Sequence, residues 1–143
     1  MSRQDLERID DQGIAAWDGH DPGRFADLLG DGFVWTDLTV PEPMRTKAQA
    51  REYVQAWLTA FPDMSIIRTN RVVGDDTVAG EIEFTGTNTG PVRMAGREIP
   101  PTDRSVLGKG AYFAKIGDGK IIRFSTHPDI AGLMMQLGLM PGM

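Results

Sequence analysis

The sequence predicts an α+β fold, a curved antiparallel sheet wrapped round N-terminal helices as a cone or partial α+β barrel, with residues 1–143 as a single domain. Three observations lead there. Helical periodicity is concentrated before Phe61, where it is interrupted by one strand-like segment. Long alternating segments occupy most of the chain from Ser65 to His127. Two glycine–aspartate turns, GDD at 74–76 and GDG at 117–119, join those segments as hairpins. Helices gathered early and strands late stack as helices on one face of a sheet. A sheet wrapped in this way leaves a mouth that can hold a ligand.

The elements follow in order. Residues 3–19 place Leu6, Ile9, Ile14, Ala15 and Trp17 at helical spacing. In HDPGRFADLL, Asp21 is a natural N-cap and Pro22 a first-turn residue, so a short second helix follows. GDGFVWTDL alternates, with Phe33, Trp35 and Asp37 sharing one face of a strand. After the proline-bearing loop LTVPEPMR, Thr46 caps a third helix with an apolar stripe of Ala50, Tyr53, Val54, Trp57, Leu58 and Phe61. SIIRTNRVV and TVAGEIEFTGT flank the first hairpin turn. NTGPVRMAGREIPPTDR reads as a long flap or rim loop. A second hairpin, ending STHPD, precedes a short apolar helix capped by Asp129 and ended near Gly138.

Composition narrows the function classes. Fifteen Lys+Arg against 20 Asp+Glu give a formal charge of −5, which argues against an electrostatic nucleic-acid or anionic-membrane surface. No cysteine is present, which removes disulfides, thiolate catalysis and cysteine-ligated metals. His20 and His127 are the only histidines, too few for a histidine-rich metal site. The polar N-terminus lacks a signal-peptide core, so a cytoplasmic location is expected.

The candidate site residues come from the faces of the strands. Turning the first hairpin at Asp75 places Ile66, Arg68, Asn70 and Val72 opposite Phe84, Ile82, Gly80 and Val78. Arg68 and Asn70 are then polar groups on an apolar face and need partners. They either bond Asp37, loop carbonyls or water, or anchor a ligand's anionic or carbonyl oxygen. The opposite face carries Thr69, Arg71, Glu81 and Glu83, a pair of carboxylates for acid–base work or, more simply, a solvated or dimer-facing stripe with Arg71 as cross-strand partner. Asp37 is a general-base candidate if it points into the cavity with Phe33 and Trp35, or else it bonds backbone beside the proline loop. His20 reads as a loop cap.

At IPPTDR (99–104), DGKI (118–121) and PDIAGLMMQLG (128–138) the chain resembles the SnoaL-like polyketide cyclase family, part of the nuclear transport factor 2-like superfamily. AAWDGHDPGRFADLLGDGFVW (15–35) and AWLTAFPDM (56–64) are similar to the family's early helices and its helix-to-sheet corner. The resemblance implies a homodimer formed through the sheet and an apolar cavity for a flat aromatic polyketide. Trp17, Phe33, Trp35, Ile82, Phe84, Gly110 and Phe124 are its expected wall, beside Arg68 and Asn70. Cyclising members close a ring by an intramolecular aldol reaction on an anthracycline-precursor ester, with an aspartate and a histidine on the last two long strands. Registered on PPTDR and DGKI, those two slots hold Thr126 and Tyr112, so the dyad is absent. The same registration puts Val106, Gly108, Gly110, Tyr112 and Ala114 on the cavity face, with Ile122, Phe124 and Thr126 opposite. Glycines there leave room for a planar ligand or permit curvature. His127 faces the other way unless Pro128 swings it inward.

The catalytic candidates are therefore Asp37, Tyr112, Thr126 and His127. The resemblance extends to hydroxylases that bind no cofactor and oxygenate a polycyclic quinone with molecular oxygen and a partner NADPH-dependent reductase. That activity is the leading expectation. A cyclase with a relocated acid–base, at Asp37 or His127, and a non-catalytic polyketide-binding protein are the alternatives.

Overall fold

A computed structural model describes residues 1–94 and 96–140. Helix α1 (Arg3–Asp18) begins at Ser2, whose hydroxyl accepts from the Asp5 amide while the Asp5 carboxylate accepts from the Ser2 amide. Helix α2 (Pro22–Asp27) starts at the Asp21 cap. After strand β1 (Leu29–Asp37), helix α3 (Lys47–Ala60) repeats the reciprocal cap with Thr46 and Gln49. Strands β2 (Ser65–Val73) and β3 (Thr77–Thr87) form the first hairpin. The short strands β4 (Val92–Met94) and β5 (Arg97–Ile99) pair with each other. Strands β6 (Ser105–Gly117) and β7 (Lys120–Pro128) form the second long hairpin, and helix α4 (Ile130–Leu137) runs from Asp129 to a left-handed Gly138.

The main sheet has the order β1-β7-β6-β3-β2. Its pairings are antiparallel except for β1, which lies parallel to β7. The helices cover one face and the sheet curves round them without closing, the expected α+β cone. At its centre Trp35, Phe25 and Phe124 pack ring against ring, with centroids 5.1–5.6 Å apart. No helix among the described residues is long and apolar enough to cross a membrane.

The segment expected as a flap or rim loop contains regular structure among its described residues. It carries the β4–β5 hairpin, whose base is tied down by the fully buried Asn88. The Asn88 amide donates to the carbonyls of Ala60 and Gly90, and its oxygen accepts from the amide and hydroxyl of Thr102. Backbone bonds from Asn88 to Arg104 and from Asp103 to Asn88 complete the knot. PPTDR is thus a clamp that satisfies buried polar groups at the foot of the hairpin.

Two bulges correct the expected faces. In the first hairpin Ile66 and Arg68 meet Phe84 and Ile82 as expected, but the register shifts between Arg68 and Asn70. Asn70 therefore pairs with Glu81, is exposed, and donates to the Glu81 carboxylate. Arg71 turns toward α1 instead of bridging the carboxylates of β3. In the second hairpin the register shifts between Lys115 and Ile116, so Ile121, and not Ile122, enters the core. One extra residue reverses the facing of everything beyond it.

On the inner face Gly110 lines the cavity, whereas Gly108 and Gly80 lie against aromatic side chains. A Cβ on Gly108 would lie 2.0 Å from the Phe84 ring, and one on Gly80 would lie 2.5 Å from the Tyr112 phenol. Gly108 and Gly80 each clear space for an aromatic side chain from the neighbouring strand.

Candidate active site

Between α1, α3 and the concave face of the sheet lies a cavity of about 110 Å³. Tyr112 on β6 and Thr126 on β7 are cross-strand partners, and both line it. Trp17, Ile82, Phe84, Gly110 and Phe124 also line it, whereas Phe33 and Trp35 are buried outside its wall. Thr126 sits where Trp35 Nε1 donates to its Oγ1 at 2.9 Å.

Each of the two opposed hydroxyls reaches a buried carboxylate. Tyr112 Oη donates to Asp10 Oδ1 at 2.5 Å. Thr126 Oγ1 donates to Asp37 Oδ2. Asp37 also accepts from Tyr53 Oη at 2.5 Å and from the Thr39 amide and hydroxyl at 2.7 and 2.5 Å. It is buried but stands behind Thr126 and Tyr53, not in the cavity wall. Burial, and then the neighbouring Asp37 charge, raises the Tyr53 pKa strongly. The Tyr112 phenol is also raised, first by burial and then by its bond to Asp10. Both phenols therefore remain protonated donors at neutral pH.

Asp10, absent from the sequence-derived candidates, is the centre of the second carboxylate site. It lines the cavity, and its side chain is only 4% exposed. Arg68 Nη1 donates to its Oδ2 at 2.7 Å, with Arg71 at 3.5 Å, and both arginines also reach Asp11. Arg71 completes the cluster on Glu7 at 2.6 Å. Arg68 is therefore a partner of α1 outside the cavity lining, and Asn70 lies on the outer face. The signal for Asp10 was available in LERIDDQGIAAW. Leu6, Ile9, Gly13 and Ala16 form the buried stripe of α1, and Asp10 falls on it four residues after Leu6.

His127 borders the cavity at the end of β7, but its ring faces outward. Its Nε2 lies 3.2 Å from Ser125 Oγ, and the ring packs edge-on against the exposed Phe113 at 5.8 Å. Strand alternation holds beyond Ser125, and Pro128 does not swing the imidazole inward. His20, with φ of 56°, places Nε2 2.6 Å from the Met64 carbonyl and so ties the α1–α2 turn to the helix-to-sheet corner. Among the described residues no three histidine, cysteine or carboxylate side chains converge as a metal site.

A sequence profile described as SnoaL-like polyketide cyclase matches residues 7–137. A curated relative, the nogalonic acid methyl ester cyclase of Streptomyces nogalater, is 29% identical over 117 residues, which is 82% of this chain and 66% of that protein's length. Among solved structures, the candidate hydroxylase AclR of Streptomyces galilaeus has a TM-score of 0.82 at 21% identity, covering 99% of this chain and 86% of its own. TsrD of Streptomyces laurentii has a TM-score of 0.83 at 23% identity, covering 98% and 99%. At these identities the two structures show a shared fold.

Proposed function

The chain belongs to the SnoaL-like polyketide cyclase family, and from that premise we propose that it is a tailoring hydroxylase acting on a polycyclic quinone of aromatic polyketide origin. The observation that carries this reading is the pair of opposed slots. Tyr112 and Thr126, in the slots that the resemblance assigns to a histidine and an aspartate of cyclising relatives, stand across one rung of the β6–β7 ladder, each bonded to a carboxylate behind it.

Both hydroxyl protons are committed to Asp10 and Asp37, so each oxygen offers a lone pair to the cavity. The phenolic O–H groups of a reduced quinone complement that arrangement. Removal of one phenolic proton, relayed through Tyr112 toward Asp10, makes the ring electron-rich enough to reduce dioxygen. Oxygen then bonds a ring carbon that carried hydrogen, the O–O bond breaks, and one water leaves as the quinone reforms. In balance, the reduced substrate plus one dioxygen gives the hydroxylated quinone plus one water. The substrate's reducing equivalents come from NADPH through a partner reductase, and no bound cofactor is needed. The apolar wall excludes bulk water from the anionic intermediate.

The test supplies a polycyclic quinone, a quinone reductase, NADPH and isotopically heavy dioxygen. Incorporation of one heavy oxygen atom per product, lost when either protein is omitted, is the expected result. Tight binding without incorporation would leave a binding protein instead.

A second reading is an ester cyclase with a relocated base, favoured by the bond from Thr126 to Asp37. Here the carbon acid's proton passes through the threonine hydroxyl to the carboxylate. Asp37→Ala would abolish ring closure on that reading, and retained closure in both Asp37→Ala and His127→Ala removes it. We further propose that the protein acts in the cytoplasm as a homodimer paired through the outer sheet face, where Ile67, Val72, Leu107 and Phe113 are exposed.

A further inference from the structure

We propose that the groove between α3 and the β4–β5 hairpin is a second ligand subsite, taking a neutral hydrogen-bonding arm of the same molecule whose flat apolar body lies in the cavity. This rests on the reading of the cavity as a polyketide site. The cavity alone holds about 110 Å³, well under the roughly 300–1,000 Å³ of a site enclosing a drug-sized molecule. The groove adds about 700 Å³. Tyr53 and Trp57 line both spaces, so the wall between them is one layer of side chains.

The two wall residues differ in how they are held. Tyr53 is fixed by its hydroxyl on Asp37 and by its ring edge on Trp35, 4.8 Å between centroids. Trp57 is half-buried, stacked on Phe61 at 6.2 Å and edge-on to Phe84 at 5.8 Å. The Trp57 side chain also interacts with the Tyr53 hydroxyl, so a ligand spanning both spaces requires the indole to turn away from Tyr53, Phe61 and Phe84 while Tyr53 stays on Asp37.

The chemistry of the two spaces assigns the ends of the ligand. Apart from Asp10, Tyr112 and Thr126, the cavity walls are mainly aromatic and aliphatic. The groove is edged by Glu42, Gln49, Glu52, Arg93, Arg97 and Glu98 around an apolar floor. Its charges are of both signs, which disfavours an ion of either sign and suits a neutral arm with hydroxyl or ester oxygens, such as a sugar.

Ala56 and Glu52 line the groove and not the cavity. Calorimetric titration of 1,8-dihydroxyanthraquinone and of its mono-O-glucoside into the wild type, Ala56→Trp and Glu52→Trp tests the proposal. The wild type should bind the glucoside at least as tightly as the aglycone. Each tryptophan should fill the groove, weakening the glucoside about tenfold while the aglycone changes by less than about twofold. Glu52 is exposed on α3, so its variant stays folded even if Ala56→Trp does not. Equal weakening of both probes, or an unaffected glucoside, overturns the groove subsite. Aglycone binding with no glucoside binding to the wild type overturns the subsite and leaves the cavity reading standing. Failure of both probes to bind overturns both.

Discussion

Asp10→Ala removes the carboxylate that Tyr112 and Arg68 share, and its cost follows from the geometry. Tyr112 Oη lies 2.5 Å from Asp10 Oδ1 and Arg68 Nη1 lies 2.7 Å from Oδ2. A hydrogen bond to a charged acceptor contributes about 1.5–3 kcal/mol. Stranding a buried charge would add about 3–5 kcal/mol, but Arg68 is 21% exposed and keeps Asp11 at 3.0 Å. The arginine's share therefore falls to about 1 kcal/mol. The sum is about 3 kcal/mol, or a melting point about 6–12 °C lower for a chain of this size. Tyr112→Phe breaks only the phenol's bond and leaves Asp10 on its arginines, so about 1.5–2 kcal/mol is expected. Urea unfolding of the wild type, both single variants and the double variant closes a cycle, valid while the slope with urea is unchanged. If Asp10 and Tyr112 interact as described, the double variant loses about 1.5 kcal/mol less than the sum of the two single losses. Additivity within about 0.5 kcal/mol would refute the pairing.

Three further outcomes are expected. The chain has two tyrosines, and both are raised above their ordinary value. An unfolded tyrosine loses its proton near pH 10, as is typical of the free side chain, while the folded phenols keep theirs. The unfolded state then binds fewer protons, and stability falls as pH rises past about 10. Ultraviolet phenolate absorbance should therefore appear together with loss of the circular dichroism signal, and phenolate formation in the folded protein would contradict the tyrosine environments. Gly80→Ala places a methyl carbon 2.5 Å from the Tyr112 phenol, and overpacking of that kind costs about 1–3 kcal/mol. Adding Tyr112→Ala should relieve the clash, so a cycle on thermal melts that shows no coupling argues against the close approach. Phe113→Glu puts a charge among the exposed apolar residues of the outer sheet face, and sedimentation should show a dimer becoming a monomer, while an unchanged mass would remove the sheet-face pairing.

Local signals carried most of the element boundaries. Ser65–Val73 and Thr77–Thr87 are strands over the residues their alternation marked, and the Asp21, Thr46 and Asp129 caps begin the helices expected of them. The hairpin inside the segment from Asn88 to Arg104 is not legible in the sequence because its strands are three residues each, too short to show alternation. The facing of Asn70 is not legible for a different reason. A bulge adds one residue without changing composition or hydropathy, so the sequence offers no count from which to correct the facing. Asp10 was hidden by its company: in LERIDDQ an acidic residue reads as solvated unless the buried stripe is traced through it.

What the sequence by itself determined is the helix-then-sheet order and the family. Those are properties of spacing and of local preference, which the chain carries without reference to distant neighbours. Only the tertiary structure decided what Tyr112 and Thr126 touch. Asp10 is 102 positions from Tyr112, and Asp37 is 89 from Thr126. Packing α1 and β1 against the β6–β7 hairpin brings each hydroxyl to its carboxylate, because a buried donor in an apolar wall must find an acceptor that folding carries to it.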